Sequence, residues 1–250
     1  MTFFKTLLVA ISTYSAIPVP QFAWDDKYMR YAICCFPAVG LFCGGGLLLW
    51  NWLCRLLQIG PVLFAAVAVC LPLLITGGIH MDGYMDTVDA LASHQSRERK
   101  LEILKDSTCG AFAVLYCGVY LLLHFGLFHA VYEQGLAASY AGAAYLFSRG
   151  LSALCAVTMP NARRFGMLCA FTEHVHKKTA LTAIAVLLVL SGALLLWQAP
   201  IGFALAVLWC LWYRKLAMGQ FGGATGDTAG FFLQICELAT LLGVWIGGLL

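Results

Sequence analysis

Three aspartates, Asp82, Asp86 and Asp89, stand close together in a segment that also contains His80. Their spacing of i, i+4 and i+7 places the three carboxylates on one face of a helix. Carboxylates so close repel one another unless a cation neutralises them. Hard oxygen ligands suit Mg²⁺ or Mn²⁺, which use one or two carboxylates and complete their shells with water and substrate phosphate. The spacing therefore predicts a metal site at these aspartates, and a solvated acidic helix end is the alternative.

A second charged segment, residues 97–107, alternates apolar Leu101 and Leu104 with acids and bases. The alternation is typical of an interfacial helix held at a membrane by basic side chains. It also allows a functional interpretation, in which cations such as Lys105 meet phosphates and Asp106 assists metal or base chemistry. The sequence leaves both interpretations open.

A third motif is the glycine-rich stretch 222–230, which contains Gly226, Asp227 and Thr228. A glycine-rich turn before a helix allows close backbone approach and presents free N–H groups to an anion. Asp227 is a candidate metal ligand or base at that turn. A plain loop with an aspartate as helix N-cap explains the same pattern.

The elements that position these residues are membrane helices. The chain is 62% hydrophobic and 11% charged, whereas a soluble domain carries roughly 25% charged residues. Apolar runs near the length that crosses a bilayer recur along the chain. We predict an all-α, polytopic transmembrane bundle in a single domain, 1–250. Its seven or so spans are expected near 31–54, 61–79, 110–132, 136–159, 179–197, 200–216 and 229–249. The stretch 3–20 is expected to be an interfacial or re-entrant segment, and an eighth span is left open.

Charge orients this bundle. The alternate loops 1–30, 80–109, 160–178 and 214–228 carry 13 of the 15 lysines and arginines, and the opposite loops carry only Arg55. The positive-inside rule places the richer loops in the cytoplasm. The remaining cation, Arg149, falls inside a predicted span, where a charge is expensive and faces a polar cavity or a partner. A phosphate contact and an ion pair with Glu237 both satisfy that requirement. The net charge of +3 is too small to indicate a nucleic-acid partner.

These motifs together resemble a known family. The resemblance rests on GG-x-H-x-DG-x-x-DT-x-D at residues 77–89, on LEI-x-KDS-x-x-G at 101–110, on SRG at 148–150 and on GG-x-TGDT-x-G at 222–230 followed by Glu237. Phe36-Pro37 and the early Ile17-Pro18-Val19-Pro20 fit the same pattern. In this order, the motifs are similar to those of bacterial cobalamin synthases, the adenosylcobinamide-GDP ribazoletransferases.

The resemblance implies a Mg²⁺-dependent enzyme of the bacterial cytoplasmic (inner) membrane, with its active site facing the cytoplasm. Such an enzyme joins α-ribazole, or its 5′-phosphate, to adenosylcobinamide-GDP and releases GMP late in vitamin B12 assembly. Carried onto this chain, Asp82, Asp86 and Asp89 are expected to hold the metal and the diphosphate. The other expected roles are His80 near the reacting groups, Asp106 and Asp227 as further acidic contributors to catalysis and substrate binding, and contacts to substrate from Lys105, Arg149, Gly226 and Thr228.

The sequence departs from the family pattern in three places. Ala90 stands where glycine is expected, Cys109 interrupts the Asp-Ser-x-x-Gly stretch, and Gln234 occupies a position that often carries an acid. None of them removes a carboxylate of the first motif.

Two other functions share single features with this sequence. A CDP-alcohol phosphotransferase-like enzyme also uses clustered aspartates, but its motif begins DG-x-x-AR, and Asp86 stands where that alanine belongs. A cation-coupled transporter is disfavoured because its coupling sites lie near the middle of the membrane, whereas these acids cluster in one predicted loop. The sequence leaves open the oligomeric state, the choice between ribazole and its phosphate, and the identity of the general base.

Overall fold

The computed structural model describes residues 2–20, 31–173 and 175–250, and these form an all-helical protein with no strand among them. The predicted fold class is confirmed. In chain order the helices are α1 (Thr2–Tyr14), α2 (Ala32–Cys35), α3 (Pro37–Leu56), α4 (Pro61–Thr76), α5 (Ile79–Ala92), α6 (Arg97–Ile103), α7 (Ala111–Glu133), α8 (Ala137–Thr158), α9 (Met167–Thr172), α10 (Lys177–Gln198), α11 (Pro200–Gln220) and α12 (Gly226–Gly247).

Several of these helices are membrane spans by length and composition, so the chain is a multi-pass membrane protein. Five segments of the described chain are long and apolar enough to cross a bilayer: Ala32–Leu56, Ala111–Glu133, Lys177–Gln198, Pro200–Gln220 and Gly226–Gly247. The bent pair of α4 and α5 raises that number to six if the two helices form one span.

The predicted count of about seven spans is not confirmed. The segment predicted at 136–159 is a helix, α8, but it is not among the candidate spans. It carries polar residues along its length, and 16 of its 22 residues are buried. Helix α8 packs against α3, α10 and α12. Its side chains therefore face other helices much more than lipid, and an apolar sequence is not required of it.

The N-terminal segment is a short helix followed by irregular chain. Helix α1 has 13 residues, which gives a length of about 20 Å, whereas the bilayer core is ~30 Å thick. Helix α1 therefore does not cross the membrane by itself. It packs against α2 and α3, and the Ala16 N–H that follows it donates to the Ile75 carbonyl at 2.8 Å. The end of α1 is thereby fixed beside the end of α4.

A buried ion pair joins α8 to α12. The Nη1 atom of Arg149 lies 2.6 Å from Oε1 of Glu237, and the two side chains are 1% and 3% exposed. The same Nη1 also donates to the Tyr145 carbonyl at 3.2 Å, and Ser148 Oγ donates to Glu237 at 3.4 Å. Of the two partners left open for Arg149, the structure favours Glu237. The predicted phosphate contact is not supported, because this arginine is buried and paired.

Replacing one partner of this ion pair should destabilise the protein more than replacing both partners. Glu237→Ala leaves a buried guanidinium unpaired, which costs about 3–5 kcal/mol, whereas the double variant Arg149→Met with Glu237→Leu removes both charges. Unfolding in detergent measures the difference. The exposed pair Arg99–Glu102 provides the control, since Glu102→Ala should cost less than about 1 kcal/mol. Equal losses for Glu237→Ala and Glu102→Ala would contradict this account.

Candidate active site

The acidic motif lies on α5, which begins after a sharp bend in the chain. Gly77 and Gly78 adopt φ values of +65° and +79°, a backbone region that glycine enters without steric cost. The bend between α4 and α5 is 96°. The two glycines at the start of the motif thus turn the aspartate-bearing helix away from the direction of α4.

Helix α5 then packs against the first turns of α12 at backbone contact distance. A Cβ atom on Gly83 would lie 2.8 Å from the Asp227 carbonyl oxygen, and one on Gly230 would lie 2.8 Å from the His80 carbonyl oxygen. Real Cβ atoms do not approach other atoms this closely, so each position requires glycine. This contact places the aspartates of the first motif beside the aspartate of the last one.

The glycine-rich loop before α12 is held by two neighbouring segments. The Ala224 N–H donates to the Pro160 carbonyl, the Ala162 N–H donates to the Ala224 carbonyl, and both distances are 2.9 Å. On its other side, Arg97 Nε donates to the Phe221 carbonyl at 2.8 Å. Gly222 has a φ of +75°, and a Cβ there would overlap the Arg97 guanidinium. Gly222 therefore accommodates a protein side chain and not a substrate anion.

The first turn of α12 is capped internally. Thr225 Oγ1 accepts from the Thr228 N–H at 3.1 Å, and Thr228 Oγ1 accepts from the Thr225 N–H at 2.9 Å, which together form a capping box. Thr228 is fully buried, so its predicted substrate contact is not supported. Gly226 differs, because it is exposed and a Cβ there would meet nothing within 4 Å. Its open backbone suits a bound group.

A cavity of about 340 Å³ opens where these elements meet. Its polar lining residues include His80, Asp82, Arg163, Gly226 and Asp227, and its apolar wall comes from α1, α2, α8 and the segment 165–169. The structure therefore brings together four residues that the sequence assigned to the site, namely His80, Asp82, Gly226 and Asp227.

The charges around this cavity are mixed. Arg163 Nη1 lies 3.2 Å from Asp227 Oδ2, and the two side chains are 20% and 25% exposed. The carboxylate of Asp86 lies within electrostatic range of three other acids and one cation, namely Asp82, Asp227, Asp89 and Arg163. The acids outnumber the cation, which leaves the cavity mouth with an excess of negative charge.

The side chain of Asp89 faces the start of α7 and not the cavity. Its Oδ2 accepts from the Gly110 N–H at 2.6 Å and its Oδ1 accepts from the Ala113 N–H at 2.9 Å. These N–H groups belong to the start of α7, where helix donors lack an intrahelical partner. Both oxygens of Asp89 therefore stabilise a helix N-terminus. The geometry favours this capping role, and the predicted role of Asp89 as a metal ligand stays a prediction.

Lys105 and Asp106 lie outside the cavity, on an exposed turn after α6. Asp106 Oδ1 accepts from the Thr108 N–H at 2.9 Å and from the Thr108 hydroxyl at 2.7 Å. These hydrogen bonds lower the pKa of Asp106 below its usual value, so the carboxylate stays ionised at neutral pH. The structure does not bring either side chain to the other candidates, and their proposed roles remain predictions.

The donor set at the cavity fits a magnesium ion bound through few protein ligands. Among the residues that the structure describes, no group of three or more acidic, cysteine or histidine side chains is arranged around one point. Mg²⁺ usually takes one or two carboxylates and keeps water or phosphate in its other positions. Asp82 and Asp227 on the cavity wall carry carboxylates of that kind, and Asp86 lies one helical turn after Asp82.

Arg163 lines the cavity but is not among the site residues predicted from the sequence. In the sequence it stands beside Arg164 as one of the loop cations that orient the membrane topology. Only the fold shows that the first of the two meets Asp227, because the contact depends on pairing between residues 160–162 and Ala224. Asn161 and Tyr14 also line the cavity and carried no recognisable signal in the sequence.

Two of the departures from the family pattern have packing partners. Ala90 is fully buried in a small cluster with Leu104 and Phe221, so a methyl group fills space there. The Gln234 side-chain carbonyl accepts from the Tyr120 hydroxyl at 2.5 Å. Both residues are thus accommodated by contacts within the protein.

Comparison with known proteins identifies the family of this chain. Residues 6–245 match the family described as cobalamin-5-phosphate synthase. An adenosylcobinamide-GDP ribazoletransferase of Lachnoclostridium phytofermentans is 42% identical, with 98% of this chain and 95% of the relative covered. Proteins of the same name from Clostridium botulinum strain Alaska E43 and Pseudomonas putida strain W619 are 32% and 35% identical, over 95% and 94% of this chain and 96% of each relative. No solved structure matches the chain significantly.

The chain belongs to the cobalamin-5-phosphate synthase family. It is a membrane transferase of cobalamin biosynthesis. The comparisons therefore favour a cobalamin synthase over a CDP-alcohol phosphotransferase or a transporter.

If Asp89 caps α7, its replacement should affect the stability of that helix and not the dependence of the activity on Mg²⁺. Asp89→Ala should remove the acceptor for two N–H groups of α7 and lower stability by about 1–2 kcal/mol. The amides of Gly110 and Ala113 should then exchange hydrogen faster, while the Mg²⁺ concentration needed for half-maximal transferase activity stays the same. A large rise in that concentration, with the amide exchange unchanged, would instead support Asp89 as a metal ligand.

Proposed function

We propose that this protein transfers α-ribazole, or its 5′-phosphate, onto adenosylcobinamide-GDP, and that GMP leaves. The product is adenosylcobalamin or its 5′-phosphate. The observation that carries the proposal is the cavity where α5 meets α12. Residues of two separate family motifs, His80 and Asp82 from one and Gly226 and Asp227 from the other, line it together.

The residues of this site suit a diphosphate substrate. Arg163 presents a guanidinium at the cavity, and guanidinium groups bind phosphate oxygens through paired N–H donors. The exposed backbone at Gly226 lies in the first turn of a 22-residue helix, whose N-terminal N–H groups and dipole attract anions. A diphosphate placed at the mouth meets both kinds of donor.

Mg²⁺, or Mn²⁺ in its place, would be held by one or two of the carboxylates of Asp82, Asp86 and Asp227. When bound, the ion neutralises phosphate charge and stabilises the leaving group. Without a cation the acids would repel the diphosphate, since Asp86 lies near three other carboxylates. The carboxylates would therefore contact the substrate through the metal, whereas Arg163 would contact it directly.

The reaction is a substitution at phosphorus. The ribazole hydroxyl oxygen forms a bond to the phosphorus on the cobinamide side, and the bond from that phosphorus to the bridging oxygen of GMP breaks. The hydroxyl proton passes to a carboxylate of the site, and GMP takes the electron pair of the broken bond. Positioning and electrostatic stabilisation supply most of the rate enhancement in such transfers.

We further propose that the site faces the cytoplasm in the bacterial inner membrane. The segments that surround it, 97–103, 160–169 and 221–227, come from the loops that carry most of the cations. The positive-inside rule places such loops on the cytoplasmic side. Nucleotide substrates are available there.

Purified protein, adenosylcobinamide-GDP, α-ribazole and Mg²⁺ test the proposal through GMP release. The wild type should release GMP only when the divalent ion is present. Asp86→Asn should lower the rate about 100-fold or more, because it removes an ionised oxygen ligand. Glu133→Gln is the control, since this acid lies in another helix and at its far end. A wild type that releases no GMP beside an active relative would overturn the proposal.

A comparison with Arg164 distinguishes a specific role of Arg163 at the cavity from the effect of the positive charge of the loop. Arg163→Gln should lower kcat/KM about 100-fold, a magnitude typical for removal of one electrostatic donor at a reacting group. Arg164→Gln removes the same charge from an exposed position that does not line the cavity and should leave the rate nearly unchanged. Equal effects from both variants would show that only the charge of the loop matters.

A further inference from the structure

The cavity beside Asp82 is too small for both substrates. Its volume of about 340 Å³ lies at the low end of the range of roughly 300–1,000 Å³ for small-molecule sites. A corrin ring with its amide side chains is several times larger than a nucleoside. A nucleoside with a two-ring base matches a space of this size, so the corrinoid must lie outside.

The walls of the cavity match an aromatic, mostly apolar base. The inner wall includes Tyr14, Phe36, Leu168 and Leu233. The rings of Tyr14 and Phe36 lie 4.6 Å apart, which places an aromatic surface beside the space. Aromatic rings pair favourably with other rings in offset or edge-to-face arrangements. Such a wall is well suited to a benzimidazole and poorly suited to the charged periphery of a nucleotide.

A buried polar atom at the aromatic wall, the Nε2 atom of His80, has no hydrogen-bond partner among the described residues. His80 is 7% exposed, and its Nε2 atom is buried with no hydrogen bond to the described protein residues. Its ring contacts Phe36 edge-on at 5.7 Å, so it sits at the aromatic wall. A buried polar group without a hydrogen bond is costly. A ligand with a ring nitrogen or hydroxyl near Nε2 would satisfy it.

The two ends of the cavity differ in exposure. Asp82 and Gly226 are exposed, whereas His80 is buried. The acidic end therefore lies at the mouth and the histidine lies at the inner, aromatic end. A nucleoside that enters base first leaves its ribose hydroxyl at the mouth, where a phosphate from a larger substrate has access.

We propose that this cavity is the acceptor subsite, in which the benzimidazole base of the nucleoside lies against Tyr14 and Phe36 and His80 Nε2 hydrogen-bonds to the free ring nitrogen of the base. The inference rests on the proposed function, because it assigns one of its two substrates to a place. The adenosylcobinamide-GDP then approaches from the mouth with its diphosphate first. His80 is a specificity residue in this arrangement and takes no part in proton transfer to the reacting oxygen.

Steady-state kinetics with both substrates varied test this assignment. His80→Phe removes the hydrogen bond but keeps an aromatic ring, so the KM for α-ribazole should rise roughly tenfold, while the KM for adenosylcobinamide-GDP stays the same.

A second variant, Ala156→Val, narrows the cavity on the side of α8, because Ala156 lines the cavity. That variant should shift the preference from the dimethylated base to the riboside of unsubstituted benzimidazole, which is smaller. Ala138→Val, at an exposed position of the same helix, is the control and should shift neither value.

Wild-type GMP release reports on the proposed function separately from these variants. If the wild type is active and the variants raise the KM for the corrinoid substrate instead, only the subsite assignment fails. Calorimetric binding of α-ribazole to the wild type and to His80→Phe gives a second readout for a variant with a low rate. Equal affinities in that measurement would overturn the assignment.

Discussion

The close contact between α5 and α12 is the constraint on which the rest of the site depends. The first and last family motifs are more than 130 residues apart in the sequence, and neither one alone forms a binding site. Gly83 and Gly230 allow the two backbones to approach until a single Cβ atom would collide with the opposite helix. Asp82 and Asp227 line one cavity because that distance is short.

The polar groups of the protein divide into those that hold the frame and those that face the cavity. Arg149 and Glu237 neutralise each other between α8 and α12, and Arg97 fixes the loop before α12. Each of these cations lies in a family motif or beside one, yet each contacts protein atoms. Arg163 faces the cavity while it also pairs with Asp227. Arg97 is thus used in assembly, whereas Arg163 also faces the cavity.

Much of the fold was predictable because membrane helices have a strong sequence signal. Long apolar runs and the distribution of lysine and arginine indicated an all-helical membrane protein. The span count was not predictable to the same extent, because α8 is buried by its neighbours and its composition does not report on lipid. Two candidates that the sequence named, Asp82 from the first motif and Asp227 from the glycine-rich motif, line the cavity. The site was not predictable where long-range contacts decide it: Asp89 faces α7, Thr228 caps its own helix, and Arg163 reaches Asp227 through a loop pairing.

The most direct test of this account is the Gly83→Ala variant. Its added methyl group must displace Asp227, and a displacement of about 1 Å at a reacting centre lowers rates about 100-fold. Gly118→Ala adds the same group in α7, where nothing lies within 4 Å, and serves as the matched control. We predict that folded Gly83→Ala protein loses GMP release while Gly118→Ala keeps it. Full activity in Gly83→Ala would show that the contact between α5 and α12 does not form the active site.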